Sequence, residues 1–348
     1  MTDTRTSLPR ADSTDTGPAR RQGTGILRVF GMREFPVTLA LIILVLFTWL
    51  SNPRFLSSQG LKDLLLNATI MMILAAGQAL IISTKSVDLS AGSALGLTAF
   101  LTGTLFATFE GIPIVVVFVA GIALGAALGA FNGLLVTTAK VPALVITLGT
   151  LYVFRGLNNW WAGGTQYFAG DRPKAFGNLS VTTVLGVPII TIIALVVIVF
   201  VTMFQRYTRS GRDLYAIGSD PAAAVVYGIP VGRRVFMAFL ANGALVGLAG
   251  VLYASRFNSV GATTGTGLEL QVVAAAVVGG VAIVGGVGTA AGAAIGAMLL
   301  TTITGSLTTI GVDKFWQQAV VGVLILASIL IDRLATLRRA SQLRKATQ

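Results

Sequence analysis

The sequence contains neither cysteine nor histidine. Those two absences exclude disulfides, Cys or His metal sites, cysteine nucleophiles and Ser-His-Asp triads together. Charge is scarce as well: Asp, Glu, Lys and Arg make up 11% of the 348 residues, against roughly a quarter in an ordinary soluble domain. Only 13 residues are acidic, and Asp3, Asp12 and Asp15 of these fall in a polar N-terminal stretch. An ordinary hydrolytic site has no material here. The chain also lacks a G-x-x-x-x-G-K-[ST] phosphate loop, so it does not bind ATP in that way. Nor do its apolar stretches hold the series of Asp, Glu or His that relays protons in pumps and ion-coupled carriers.

What the chain does have is apolar length, with 54% hydrophobic residues. Uncharged runs recur at about the 20 residues that cross a hydrocarbon core: Val37–Ser51, Leu64–Ile82, Ala91–Phe109, Ile112–Ala139, Val141–Phe154, Val181–Gln205, Val235–Ser255, Leu270–Val312 and Phe315–Ile331. Leu270–Val312 as one helix would reach roughly 65 Å, about twice that core. It divides at Gly279-Gly280, Gly285-Gly286 and Gly288, where a helix is weakest. The expected fold is therefore an all-α polytopic membrane protein with about ten transmembrane helices.

The net charge of +12 is placed as a topology signal. Basic residues concentrate in the N-terminal tail (Arg5, Arg10, Arg20, Arg21, Arg28, Arg33), in the loop Arg206–Arg234, and in the C-terminal tail (Arg333, Arg338, Arg339, Arg344, Lys345). Ten spans put all three on one side, together with the turns carrying Lys85 and Lys140. Most of the 25 basic residues then face the cytoplasm by the positive-inside rule, as do both termini. The charge speaks for a lipid bilayer and not for nucleic acid. Residues 1–34 read as a disordered basic tail without a cleavable signal. A single transmembrane domain is expected over 35–332, with a cytoplasmic loop at 205–234, and a second basic tail over 333–348.

Several features carry functional candidates. The seam "STKSVDLSAGSALGL" places Lys85, Asp88 and Ser90 between two apolar runs. Asp88 or Ser90 can cap the small-residue helix that follows, either as a plain cytoplasmic turn or as a gate dipping into the protein, where irregular backbone is tolerated against protein or a cavity. Glu269 opens the eighth span from its outer side, as a helix cap or as an ionisable group at the mouth of a pathway. Gln78, Asn132 and Asn242 are single polar residues inside spans, suited to interhelical hydrogen bonds or to solute contact. In the cytoplasmic loop, Asp220-Pro221 precedes "AAAVVYGI", an N-cap with proline at the first helical position. The resulting helix of about two turns before Gly228 either rests on lipid or docks a soluble partner.

Glycines at Gly121, Gly125, Gly129 and Gly133, at Gly243, Gly247 and Gly250, and at Gly288, Gly292 and Gly296 make stripes that let neighbouring backbones approach. The stretch "KSVDLSAGSALGLTAFLTG" can be laid over "VGGVGTAAGAAIGAMLLTTITG", as in transporters built from repeats.

Four ordered stretches, "GQALIISTKSVDLSAGSALGLTA", "KVPALVITLGTLYVFRGL", "SGRDLYAIGSDPAAAVVYGI" and "TGTGLELQVVAAAVVGGVAIVGGVGT", resemble the membrane subunits of bacterial ABC sugar importers of the ribose-permease branch. The resemblance spans about residues 37–332. It implies two permease subunits, as a homo- or heterodimer, in the bacterial cytoplasmic (inner) membrane. It also implies cytoplasmic ATPase subunits that hold the ATP-Mg and an extracytoplasmic sugar-binding protein, with no metal or cofactor on this chain. The family pattern of the ATPase-docking loop is matched at Gly211, Arg212, Tyr215, Gly218, Ala222, Ala223 and Gly228, with Asp220 where asparagine is usual and Pro221 after it. "GTGLEL" and "NNWWAGG" look most like permeases for rhamnose and for autoinducer-2; other relatives carry pentoses or hexoses.

Overall fold

The computed structural model describes residues 35–313 and, in the next segment, Trp316, Gln317, Ala319, Val320, Gly322, Val323 and Leu326. Both tails and most of the run Phe315–Ile331 lie outside the described residues. The helices are α1 (Phe35–Ser51), α2 (Ser58–Ser83), α3 (Ala91–Thr108), α4 (Ile114–Ala139), α5 (Ala143–Ala162), α6 (Lys174–Val181), α7 (Ile189–Tyr207), α8 (Arg209–Ser219), α9 (Pro221–Val226), α10 (Val231–Arg256), α11 (Leu268–Val278) and α12 (Ala290–Thr309). Six of them, α2, α3, α4, α7, α10 and α12, are long and apolar enough to cross a membrane. The apolar α1 and α11 are shorter, and α5 carries Arg155, Asn158 and Asn159 in its second half.

Proline sets many of the starts. Pro113, Pro142, Pro173, Pro188 and Pro230 are the residues immediately before α4, α5, α6, α7 and α10. Their fixed φ leads the chain into a helix, and the missing N–H is no loss where no intrahelical acceptor exists. The sixth apolar run, read as a span from Val181, becomes helical only at Ile189. Before it, Thr183–Val184 pairs with Val187–Pro188 across Leu185 and Gly186, both at positive φ (52° and 82°), the geometry of a tight hairpin turn.

Burial is centred on α2, whose residues from Ala68 to Ser83 are all buried. Helices α7, α10, α11 and α12 pack around it. The glycine stripes meet as expected of close-packed helices. On α4, a Cβ at Gly125 would collide with the Gly243 carbonyl oxygen, and one at Gly129 with that of Phe239, both on α10. Reciprocally, a Cβ at Gly247 would collide with Gly121 O. Gly296 of α12 approaches Ala275 O and Gly279 in the same manner. In the connections that follow α5 and α10, Tyr167–Phe168 pairs antiparallel with Ser259–Val260. Arg172, whose pKa is lowered by burial, donates to Ala254 O and Phe257 O, the free carbonyls at the end of α10.

The long run Leu270–Val312 divides at its glycines. Helix α11 stops at Val278, and residues 279–289 run without helix, with Gly280, Gly285, Gly286 and Gly288 at positive φ. At roughly 16 Å, α11 is about half a span. The seam at 84–90 is a second non-helical segment, and the two touch: Gly286 N donates to Ser83 O (3.2 Å), and a Cβ at Gly285 would lie 3.0 Å from Lys85 Cβ. The two stretches that aligned as a repeat are thus neighbours at one end of the bundle.

Candidate functional site

The seam is buried and pinned from four helices. Asp88 is 3% exposed and Ser90 1%. Asp88 Oδ1 accepts from Ser90 N (2.9 Å) and from Ser90 Oγ (2.7 Å), and Oδ2 accepts from Asn242 Nδ2 of α10 (2.8 Å). Asn132 Nδ2 of α4 donates to Ser90 Oγ (2.7 Å). Gln78 of α2, with its amide turned to satisfy both groups, accepts from Asp88 N (3.0 Å) and donates to Asp88 O (3.3 Å). From α5, Thr147 Oγ1 accepts from Leu89 N (3.1 Å) and donates to Val87 O (3.0 Å). Non-helical backbone at this depth needs such partners, because an unsatisfied buried amide costs about 1–3 kcal/mol.

Five of the sequence candidates, Gln78, Asp88, Ser90, Asn132 and Asn242, therefore converge in one cluster. The expectation that Asp88 or Ser90 caps α3 needs correction. Ser90 occupies the cap position, but its side chain makes no capping bond; its hydroxyl is committed to Asp88 and Asn132. The carboxylate instead closes a small loop on Ser90 and ties it to α10. Thr147 is a member that sequence reasoning missed; a hydroxyl in an apolar helix is too common to stand out.

Glu269 is placed differently from the expectation. Helix α11 does begin beside it, and Glu269 Oε1 accepts from Gly267 N (3.2 Å). Yet its side chain is packed against the first turn of α3. A Cβ at Gly92, in the first turn of α3, would touch Glu269 Oε2 and Gly265 O, and one at Gly96 would touch Thr264 O. Tyr167 of the segment between α5 and α6 meets Gly103, farther along α3. The chain from Gly261 to Gly267 therefore descends along α3 before α11 starts.

The loop 205–234 folds as two consecutive helices. Thr208 caps α8 by accepting from Gly211 N (2.9 Å). Asp220 Oδ1 caps α9, accepting from Ala222 N (2.9 Å) and Ala223 N (3.0 Å), with Pro221 in the first turn. Gly228 leaves the stub at φ 74°. The loop residues divide by direction. A Cβ at Gly211 would collide with Phe204 O, and one at Gly218 with Ser83 O and Gly286 N. Tyr215 Oη donates to Gly288 O (2.7 Å). Gly211 thus seats α8 against the end of α7, and Gly218 and Tyr215 seat it against the end of α2 and the 285–288 turn. Arg212, Asp220, Pro221, Ala222 and Gly228 are exposed and Ala223 half-buried, and Val226 and Tyr227 stand out at 85% and 84% exposure. An ion pair from Arg234 Nε to Asp213 Oδ2 (2.8 Å) ties α10 to α8. Gln205, unremarked in the sequence, accepts from Ala290 N (2.8 Å) at the start of α12. Among the described residues no group of three or more acidic side chains forms a metal site.

A helical bundle with two broken elements and an exposed stub is compatible with several transporter classes. The family described as "Branched-chain amino acid transport system / permease component" matches residues 60–329. The chain belongs to this permease family. Similar proteins include the autoinducer 2 import system permease protein LsrC of Enterobacter sp. (strain 638), 37% identical over 300 residues, 86% of each chain. The proteins of the same name from Escherichia coli (strain K12 / DH10B) and Salmonella paratyphi B are each 34% identical over 300 residues, again 86% of each chain. No solved structure matches it. As a member of this family with six apolar spanning helices, this permease is a multi-pass inner-membrane transport subunit of the ABC type and not an enzyme.

Proposed function

We propose that this permease imports a small sugar-like solute, autoinducer-2 or a monosaccharide such as rhamnose, driven by a separate ATPase subunit that holds the ATP-Mg. The single observation that carries the solute class is the likeness over 300 residues to permeases of autoinducer 2 import systems. The expected topology has ten spans with both termini cytoplasmic. In that frame α9 with its exposed Val225, Val226 and Tyr227 docks the ATPase together with Arg212, Asp220, Pro221, Ala222, Ala223 and Gly228, and the inward-facing Gly211, Tyr215 and Gly218 couple its movement to the bundle. A second permease subunit, identical or different, and an extracytoplasmic binding protein complete the machine.

In this reading alternating access is driven through the contacts of α8. A push on the stub moves Tyr215 and Gly218, and with them the 285–288 turn and the end of α2. Those are the neighbours of the seam pinned by Asp88, Ser90, Gln78, Asn132 and Asn242. The glycine-lined crossing of α4 and α10 is smooth enough to let the seam tilt as a unit. Import of branched-chain amino acids is a second reading, on the strength of the family's own description.

The test is uptake by membranes holding the permease with its ATPase and binding protein, using labelled autoinducer-2, rhamnose, ribose and leucine. ATP-dependent uptake of one of the first three supports the proposal; uptake of leucine alone would refute it. Deleting Pro221–Tyr227 or changing Arg212→Glu should abolish both uptake and ATPase co-purification.

A further inference from the structure

Arg155 is a cation in the second half of α5, and none of the contacts described so far uses it. It is half-buried, and its neighbours Tyr152, Val153, Gly156 and Leu157 on the same helix are exposed. A guanidinium in so apolar a bundle faces protein or water, because hydrocarbon offers it no partner. Its Nη1 donates to Thr264 O (2.7 Å), and its Nη2 is buried without a partner. Glu269 lies within electrostatic reach, yet the only ion pair among the described residues is Arg234–Asp213. Glu269 Oε2 is also buried and unpartnered, as is the Oδ1 of Asn158, one turn on from Arg155 and fully buried.

One orphan donor and two orphan acceptors thus flank the same descending segment, Gly261–Glu269. Around them Thr263, Thr266 and Gln271 are exposed polar residues, as is Asn159 one turn on from Arg155. Opposite charges that are near but unpaired, each with an unused polar atom, suit a guest carrying both donors and acceptors. A hydroxyl is that group: it accepts from a guanidinium and donates to a carboxylate at once.

We propose that Arg155 and Glu269, with Thr266 and Gln271 beside them, form a polar station in the solute pathway that receives a neutral polyhydroxylated solute part-way across the membrane. The proposal rests on the import reading above and adds the place where the solute is met. The face formed by α5 and the start of α11 is then the wet wall of the pathway, in contrast to the exposed side of α7, where Val196, Val199 and Phe200 carry no polar group.

The native absence of cysteine makes the experiment direct. Thr266→Cys and Gln271→Cys, with Val199→Cys as the control, are made in the full transporter with its ATPase and binding protein in membrane vesicles. A polar thiol reagent reacts with the thiolate, which forms in water and not in hydrocarbon. The expected result is labelling at 266 and 271 several-fold faster than at 199, slowed several-fold by saturating rhamnose or autoinducer-2 delivered by the binding protein. Arg155→Gln or Glu269→Gln should erase the slowing while the labelling itself remains.

Labelling at 266 and 271 no faster than at 199 would overturn the proposal, as would labelling that no sugar slows although uptake of that sugar proceeds. Slowing by leucine in place of the sugars would overturn the solute class. If the wild-type transporter imports none of the sugars while 266 and 271 still label fast, the import reading has failed and the wet wall stands. Should either charge variant fold poorly, Asn158→Asp tests the same site by adding a charge beside the orphan pair and should likewise alter the protection.

Discussion

Exchanging Asp88 and Asn242 tests whether the buried seam is held by the contact between them. In the single variant Asn242→Asp, two carboxylates face each other where an amide now donates to Asp88 Oδ2 at 2.8 Å. Two carboxylates that close do not both stay ionised, and the proton one of them takes up costs up to about 4 kcal/mol at pH 7. Lost with it is a charge-assisted hydrogen bond of about 1.5–3 kcal/mol. The sum is of the same order as the whole stability of an average domain. The seam has no basic side chain among its hydrogen-bond partners to absorb the second charge. Asn242→Asp is therefore expected to abolish the folded subunit or lower its melting temperature severely. The double variant Asp88→Asn/Asn242→Asp restores one amide facing one carboxylate. The amide oxygen then at position 88 can still accept from Ser90 N and Oγ, while the amide nitrogen donates to the carboxylate then at position 242. Recovery of most of the lost stability should follow, because only the pairwise term is repaired. The assay is monodispersity and thermal melting of the detergent-solubilised permease, wild type, both single variants and the double. An Asn242→Asp protein that melts like the wild type, or a double variant no better than Asn242→Asp, would refute this account of the cluster.

Other expectations can be checked with the same preparation. Gly247→Leu forces apart helices α4 and α10, where even a Cβ would collide with Gly121 O, and should leave little folded protein. Gly232→Ala, at an open site on α10, should melt at or slightly above the wild type, since the helix gains up to about 1 kcal/mol. Asp220→Ala removes the cap of a six-residue helix, a loss of about 1 kcal/mol, and should weaken ATPase co-purification, whereas Asp220→Asn keeps the cap and the association. Tyr215→Phe deletes the bond to Gly288 O, worth about 1 kcal/mol; it should leave ATPase association intact and lower solute moved per ATP hydrolysed.

The amino-acid sequence by itself determined the class of the protein and its local stops and starts. Long uncharged runs, the arrangement of basic residues and the absence of Cys, His and a phosphate loop suffice for a transport subunit in a bilayer, because hydrocarbon burial is a property of composition over about 20 residues. Asp220-Pro221 and the glycine clusters at 279–288 act on the nearest few residues, so the stub and the break before α12 were both legible. The resemblance of four ordered motifs gave the family. What tertiary structure alone decided is which distant residues meet. Nothing local says that Gln78, Asn132, Thr147 and Asn242, on four different helices, all turn toward residues 87–90, or that Gly125 lies against Gly243. Helix rotation is fixed by which faces pack, and in a chain this apolar nearly every face is hydrophobic, so periodicity carries little information. Glu269 shows the same limit: read along the chain it opens a span near the outer loop, but the descent of Gly261–Gly267 along α3 carries it inward to Gly92. Hairpin 183–188 was absorbed into an apolar run for the same reason, its valines being as hydrophobic as those of the helix that follows. Composition names the solvent a segment prefers, and only the assembled bundle assigns each polar atom its partner.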